Sequence, residues 1–415
     1  MSLLLVSIAT ILCSICGTVS SFSVANNNDV GQPQVIIVGK IILDKYGPPE
    51  KQIDSVTIGG GGPQAAWAAA ASLAVMEYLR ETEKKDEKGF ILSSNLQQQH
   101  QQVTFMAPVG MKNWSPEMSE QLSQLLPPTV KVVLIPSDDH ITPTINIWHD
   151  ANENVRWVPI DGSFDSLGAD SLWQNRPSAQ DILNEIQQYC DGKSDVILHA
   201  IIESGAKPTG QGQDALPFLD DDLMSRVSVA GVEPIVFADD TSGMVTNEDS
   251  HAVVSLISTM RQSYIAARNQ GDENGGNALF VLTPDRPCYE GMITHAKHTI
   301  KEEDNANSNQ FFEMIIRDGG NGCFTTNGMK MPAATLRTKG GLPVNPTGAG
   351  NAFSAAYVVC RGNGSSPQEA ASIATAIGGV VCEYEHLPPW TPEVMERIFE
   401  AACEVHEWKQ PISTL

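Results

Sequence analysis

The residues of this chain best placed to do chemistry gather around glycines. In "NPTGAGNAF", Asn345 to Phe353, two glycines flank one small residue and an apolar run, "AFSAAYVV", follows at once. Such a turn opens a helix whose first N–H groups lack intrahelical partners, and with the helix dipole they attract anions. Gly348, Ala349 and Gly350 therefore read as an anion hole in which no side chain blocks a phosphate. Both positions where a carboxylate would act, Asn345 and Asn351, carry amides. An amide cannot take the proton from an attacking hydroxyl.

A second glycine site, "GGGGPQAAWAAAA", precedes another helix and follows the short run "SVTI". Gly39 and Asp44 place a carboxylate just past the first strand, where a polyhydroxy compound could be hydrogen-bonded. Close packing of a helix on a sheet is the bland reading of these glycines. Other candidates read as structural: His295 and His298 in "HAKH" stand in a charged neighbourhood that points to solvated surface, and Trp148 and His149 suit a half-exposed strand.

The elements that would position these residues follow from periodicity. "QVIIVGKIILD" reads as a strand, "SVTIGGGG" as a second strand ending in glycines, and "PQAAWAAAASLAVMEYL" as a helix with Pro63 in its first turn. Residues 83–102, rich in charge and glutamine, read as a surface insertion. "VTFMAPVG" and "KVVLIP" are strands around a helix capped by Ser115 and opened by Pro116. "TPTINIWHDANENVRWVPI" predicts a hairpin standing off the main sheet. Strands recur at "SDVILHAII", "EPIVFADD", "ALFVLTP" and "FFEMIIRD", with a core helix over about 248–267 and a capping-box helix at Ser366 and Glu369. The alternation predicts an α/β fold with a mostly parallel sheet covered on both faces. No internal repeat and no composition break divides the chain.

With 26 Lys+Arg against 49 Asp+Glu, the formal charge of −23 over 415 residues argues against nucleic-acid binding. The first residues form an apolar leader, about 1–24, too short and Ser/Cys-rich for a membrane span; no stable span is expected after its removal. Its small residues ending at Ser21 before Phe22 point to a secretory route or an organelle, and resemble the junction of plastid-targeted proteins of algae with complex plastids; a cytoplasmic location is the alternative. The 8 cysteines have spacings that indicate neither a zinc site nor a disulfide framework, and no residue is assigned to a metal.

Together, "VGKIILD", "GGGGPQAAWAAAA", "MIIRDGGNGCF" and "NPTGAGNAF" resemble, in order, the motifs of the ribokinase-like (pfkB) carbohydrate kinases. The resemblance extends over about 33–405 and is greatest toward a branch that includes a fungal protein linked to maintenance of a killer virus. It implies a central sheet sandwiched by helices, a small β lid including about 141–160, and ATP with Mg²⁺ as cofactors. By the same resemblance Gly348, Ala349 and Gly350 form the anion hole and Asn351 takes the catalytic-base position. Asp44, Gly60, Gly61 and Gln64 face the phosphoryl acceptor, Gln64 standing where the family usually has Asn. Thr347, Asp285, Arg317, Gly319 and Gly322 lie along the nucleotide, with Asp285 and Cys288 replacing the family's Asn and Glu in "TPDRPCYE". The implied activity is phosphorylation of a sugar, polyol or nucleoside hydroxyl, slowed by Asn351, and the implied assembly a homodimer through the lid. The alternative is a non-catalytic binding or interaction protein on a kinase scaffold. A hydrolase is disfavoured because no G-x-S-x-G occurs.

Overall fold

The structure, a computed structural model of the chain, describes residues 33–47, 56–84, 103–149, 155–159, 177–189, 196–203, 220–235, 257–267, 279–296, 312–326 and 328–407. The leader, His298 and most of the 83–102 insertion lie outside the described residues. The strands are β1 (Gln34–Val38), β2 (Ile42–Tyr46), β3 (Thr57–Gly59), β4 (Val103–Gly110), β5 (Val130–Ser137), β6 (Thr144–His149), β7 (Val155–Pro159), β8 (Val196–Glu203), β9 (Val227–Ile235), β10 (Leu279–Leu282), β11 (Phe312–Arg317), β12 (Cys323–Thr325) and β13 (Lys330–Met331). The helices are α1 (Gly61–Lys84), α2 (Pro116–Leu125), α3 (Ala179–Tyr189), α4 (Asp221–Arg226), α5 (257–267), α6 (Arg286–Ala296), α7 (Ala349–Gly362), α8 (Pro367–Cys382) and α9 (Pro392–Glu407).

Nine strands form one sheet in the order β13-β12-β11-β10-β9-β8-β1-β4-β5, parallel from β5 to β11 and antiparallel at the β12–β13 edge. The alternation of β1 shows how both faces are covered. Val35 and Ile37 join the core formed with α1, α7, α8 and α9, whereas Ile36 and Val38 join the core formed with α3, α4, α5 and α6. Ala65 to Ala71 are all buried, so α1 approaches its neighbours closely, with Trp67 edge-on to Trp390.

A second sheet, ordered β3-β2-β6-β7, contains the expected hairpin: β6 and β7 pair antiparallel, and β6 lies parallel beside β2. The run "QVIIVGKIILD" is therefore two strands in two sheets. The break falls at Gly39 because the chain there passes the start of α1: a Cβ at residue 39 would stand 2.6 Å from the Gly62 Cα, and the Gly62 N–H donates to the Lys40 carbonyl at 2.9 Å. The strand expected at "EPIVFADD" begins earlier, at Val227. Gly231 obscures it in the sequence, yet Val358 of α7 packs so closely there that a Cβ would meet it at 2.4 Å. The caps at Ser115 and at Ser366 with Glu369 form as expected.

Candidate functional site

Two helices start facing each other, and both starts are made of glycine. Gly348, at φ +89°, is the N-cap of α7 and carries no capping side chain. The N–H groups of Gly350 and Asn351 have no partner among the described residues. The α7 start at "GAG" thus offers N–H donors, the helix dipole and no acid in the first turn. Opposite lie Gly60, at φ +93°, and Gly61, where a Cβ would stand 3.1 Å from the Asn351 amide.

Gln64 joins the two starts. Its Oε1 accepts from Asn351 Nδ2 at 2.9 Å, and its Nε2 points at the Thr347 carbonyl at 3.5 Å. Gly348 is glycine for this reason as well as for its φ, since a Cβ there would stand 1.9 Å from Gln64 Cδ. The two departures noted in the sequence, Gln64 and Asn351, are therefore partners. Asn345 also uses its amide. Its Oδ1 accepts from the Thr347 N–H at 3.0 Å while its Nδ2 donates to the Glu385 carbonyl at 2.8 Å. An ionised aspartate could make the first bond and not the second.

Beside this junction opens a cleft of about 450 Å³, including its mouth, lined by Asp44, Tyr46, Gln64, Asn345, Thr347, Glu385 and His386 among others. Asp44 comes from β2, is 5% exposed, and makes no side-chain hydrogen bond among the described residues. Burial pushes its carboxyl up to about 7. Gly59 makes room for it, as a Cβ there would stand 1.8 Å from Asp44 Oδ2. Tyr46 is pushed up to about 12, first by burial and then by the Asp44 charge, and its ring meets His386 edge-on at 5.3 Å.

Beside Gly350 stands Arg317, at the end of β11. Its Nη1 donates to Glu233 Oε1 at 2.7 Å and lies so near Gly350 that a Cβ there would meet it at 2.1 Å. Gly319 to Asn321 form a 3-10 turn with open space around Gly319 and Gly320, and Gly322 follows at φ +91°. Asp285 sits beside Arg317 through an isolated parallel bridge, but its Oδ1 accepts from the Cys288 N–H at 2.8 Å and caps α6. Cys288 is buried, which pushes its thiol up to about 12. The structure thus sets Gly61 and Gln64 against Asn351, with Thr347 beside Gln64 and Asp44 lining the cleft they share with Gln64, and sets Asp285 beside Arg317, ahead of the turn of Gly319 and Gly322. Trp148 and His149 lie on β6, and His295 on α6.

Sequence reasoning passed over Glu233, Tyr46, Glu385 and His386. A carboxylate inside the apolar strand "VSVAGVEPI" was a usable signal for Glu233, because such residues are seldom fully buried unless paired. Nothing in "EYEHL" marks Glu385 and His386, which reach the cleft through a turn after α8.

The donor set fits a nucleotide's phosphates: free N–H groups, an arginine, and glycines where a Cβ would intrude. Among the described residues no group of three or more His, Cys, Asp or Glu could hold a metal ion.

No family model matches the chain, and no curated protein matches it in sequence. Solved structures do match. An E. coli protein assigned as ribokinase II aligns in its apo form with TM-score 0.51 and 14% identity, covering 89% of this chain and 99% of that one. The same assignment in complex with ATP and Mg²⁺ gives TM-score 0.50, 14% identity and the same coverage. A nucleoside kinase from Burkholderia thailandensis in complex with inosine aligns with TM-score 0.47 and 15% identity over 89% of this chain and 96% of that one. The chain has the ribokinase fold.

Proposed function

We propose that this chain, built on the ribokinase fold, is an ATP-dependent kinase that phosphorylates a hydroxyl of a sugar, polyol or nucleoside. The observation that carries the reading is the juxtaposition of the open α7 N-terminus with the Asp44 cleft, joined at the Asn351–Gln64 hydrogen bond. A phosphate held by the Gly350 and Asn351 N–H groups would lie between Arg317 on the nucleotide side and the acceptor in the cleft. The small sheet that carries Asp44 serves as the lid, and the four motifs favour the branch that includes the killer-virus-maintenance protein.

ATP, when bound with Mg²⁺, supplies the phosphoryl group and part of the charge neutralisation. The chain does the rest. The α7 N–H groups stabilise the transferring oxygens, which for phosphoryl transfer is the larger part of catalysis. Asp44, titrating near neutral pH, accepts a hydrogen bond from an acceptor hydroxyl and orients it. Asn351 holds Gln64 and takes no proton, so turnover lacks the roughly 10²–10⁴-fold of a general base.

One observation favours a second reading, a non-catalytic nucleotide or sugar binder: the Asn351 amide is already satisfied by Gln64. An ATP-consumption screen with Mg²⁺ over sugars, polyols and nucleosides tests the two. Stoichiometric consumption with one acceptor class is expected. Tight ATP binding with no consumption over all three classes would establish the binder.

A further inference from the structure

We infer that Arg317 is the cation that faces the terminal phosphoryl group of the nucleotide, and that Glu233 is the residue that positions it. The inference rests on the nucleotide site proposed above and assigns within it a role that belongs to this chain's own residues. Glu233 stands inside a strand of the central sheet and is fully buried. A carboxylate there is costly unless a cation answers it, and Arg317 does so through Nη1 at 2.7 Å. Its Oε2 has no hydrogen-bond partner among the described residues, although His199 Nε2 lies 3.7 Å away on β8. Among the described residues the pair is therefore only half satisfied, since Arg317 Nε is likewise without a partner there.

The direction of the guanidinium is what gives the pair a purpose beyond the fold. Anchored from below by Glu233, its Nη1 lies against Gly350, the residue whose own N–H is open at the start of α7. Arg317 keeps 13% of its side chain exposed while Glu233 keeps none, so the pair's open edge is the arginine's. A guanidinium is a planar fork that meets two phosphate oxygens at once and stays charged at any working pH. Held at the helix mouth, it adds a full positive charge to the partial charge of the dipole. A side chain this close to the anion hole touches the outermost phosphate and not the base or ribose.

Calorimetry on the full chain with AMP, ADP and ATP, each with Mg²⁺, separates the possibilities. Arg317→Gln should weaken ATP by roughly ten- to a hundredfold, the range of a charge-assisted hydrogen bond, ADP by less, and AMP not at all. Because that variant strands the buried Glu233 charge, the double variant Arg317→Met with Glu233→Gln is measured beside it; it removes both charges and should show the same graded loss in a folded protein. Glu233→Gln alone keeps the cation and removes its anchor. In phosphorus NMR of bound ATP it should move the terminal-phosphate resonance and leave the α-phosphate resonance in place.

Equal losses for all three nucleotides would make the pair a structural tie, and tighter ATP binding would make Arg317 a plug in the hole; either overturns the inference. So would unchanged ATP binding in the double variant. A wild-type protein that binds none of the three overturns the nucleotide site itself, which distinguishes the two failures.

Discussion

On the proposed kinase reading, a single atom at Asn351 separates a base from a bystander. Asn351→Asp would restore a carboxylate at the helix mouth, where the dipole favours negative charge, and rotation of the Gln64 amide would let its Nε2 donate to it. With an acceptor identified by the screen, kcat should rise about 10-fold or more, up to the ~10²–10⁴ of general bases. Steady-state kinetics on a variant of unchanged Tm checks this; a fall in kcat would show a site adapted to the amide. Asp44 gives the second prediction at this scale. Its carboxyl is raised from 3.8 to about 7 by burial, so the folded protein favours the protonated form. The stability it contributes is full below about pH 4 and is lost as pH rises toward 7. Asp44→Asn should therefore gain Tm over wild type progressively from pH 4 to 7 and level off above, with about 4 kcal/mol as the upper bound at pH 8. A difference in Tm that stays flat across that range would contradict the burial argument. The identities of Asp44, Gln64 and Asn351 were legible in the sequence; their mutual contacts were not, because two amides 287 residues apart carry no sign that they answer each other.

For the elements, the short glycine turns were more legible than the strands around them. A helix must start where an apolar run follows glycines with an open first turn, and both α1 and α7 do so. The strand limits escaped because packing sets them: the chain crosses between sheets at Gly39 to clear α1, and Gly231 sits within β9 to admit Val358. The α7 start bears a test. Gly350→Val places a side chain against Arg317 Nη1, where even a Cβ would be 2.1 Å away, and on the proposed reading intrudes on the phosphate. Nucleotide binding should weaken at least about 10-fold, the effect of one lost charge-assisted contact. Titration calorimetry with ADP checks it, and undiminished affinity would remove the α7 N-terminus from the site.

The whole molecule carries a charge of −23 toward the proposed ligand, which is itself an anion. Beyond the ~10 Å Debye length of 0.1 M salt this repulsion is screened, while the held arginine and N–H groups act at contact. The association rate of ATP should therefore rise as salt is raised from 20 to 200 mM, as stopped-flow fluorescence would show; a falling rate would mean that local positive charge governs the approach. The fold was readable at this scale from the alternation of strands and helices and from four motifs. The second sheet's full membership was not, since β2 and β3 reach it from far along the chain before β6 and β7.

The bridge from Gln64 to Asn351 also sets a schedule. At synthesis rates of about 5–20 residues per second, the 287 residues between them take roughly a quarter of a minute to a minute to emerge. Throughout that interval α1, buried along Ala65 to Ala71 in the finished protein, has neither α7 nor α8 to cover it. The first half of the cleft leaves the ribosome as an apolar helix awaiting a partner, and a nascent chain halted before residue 345 should be a client for chaperones.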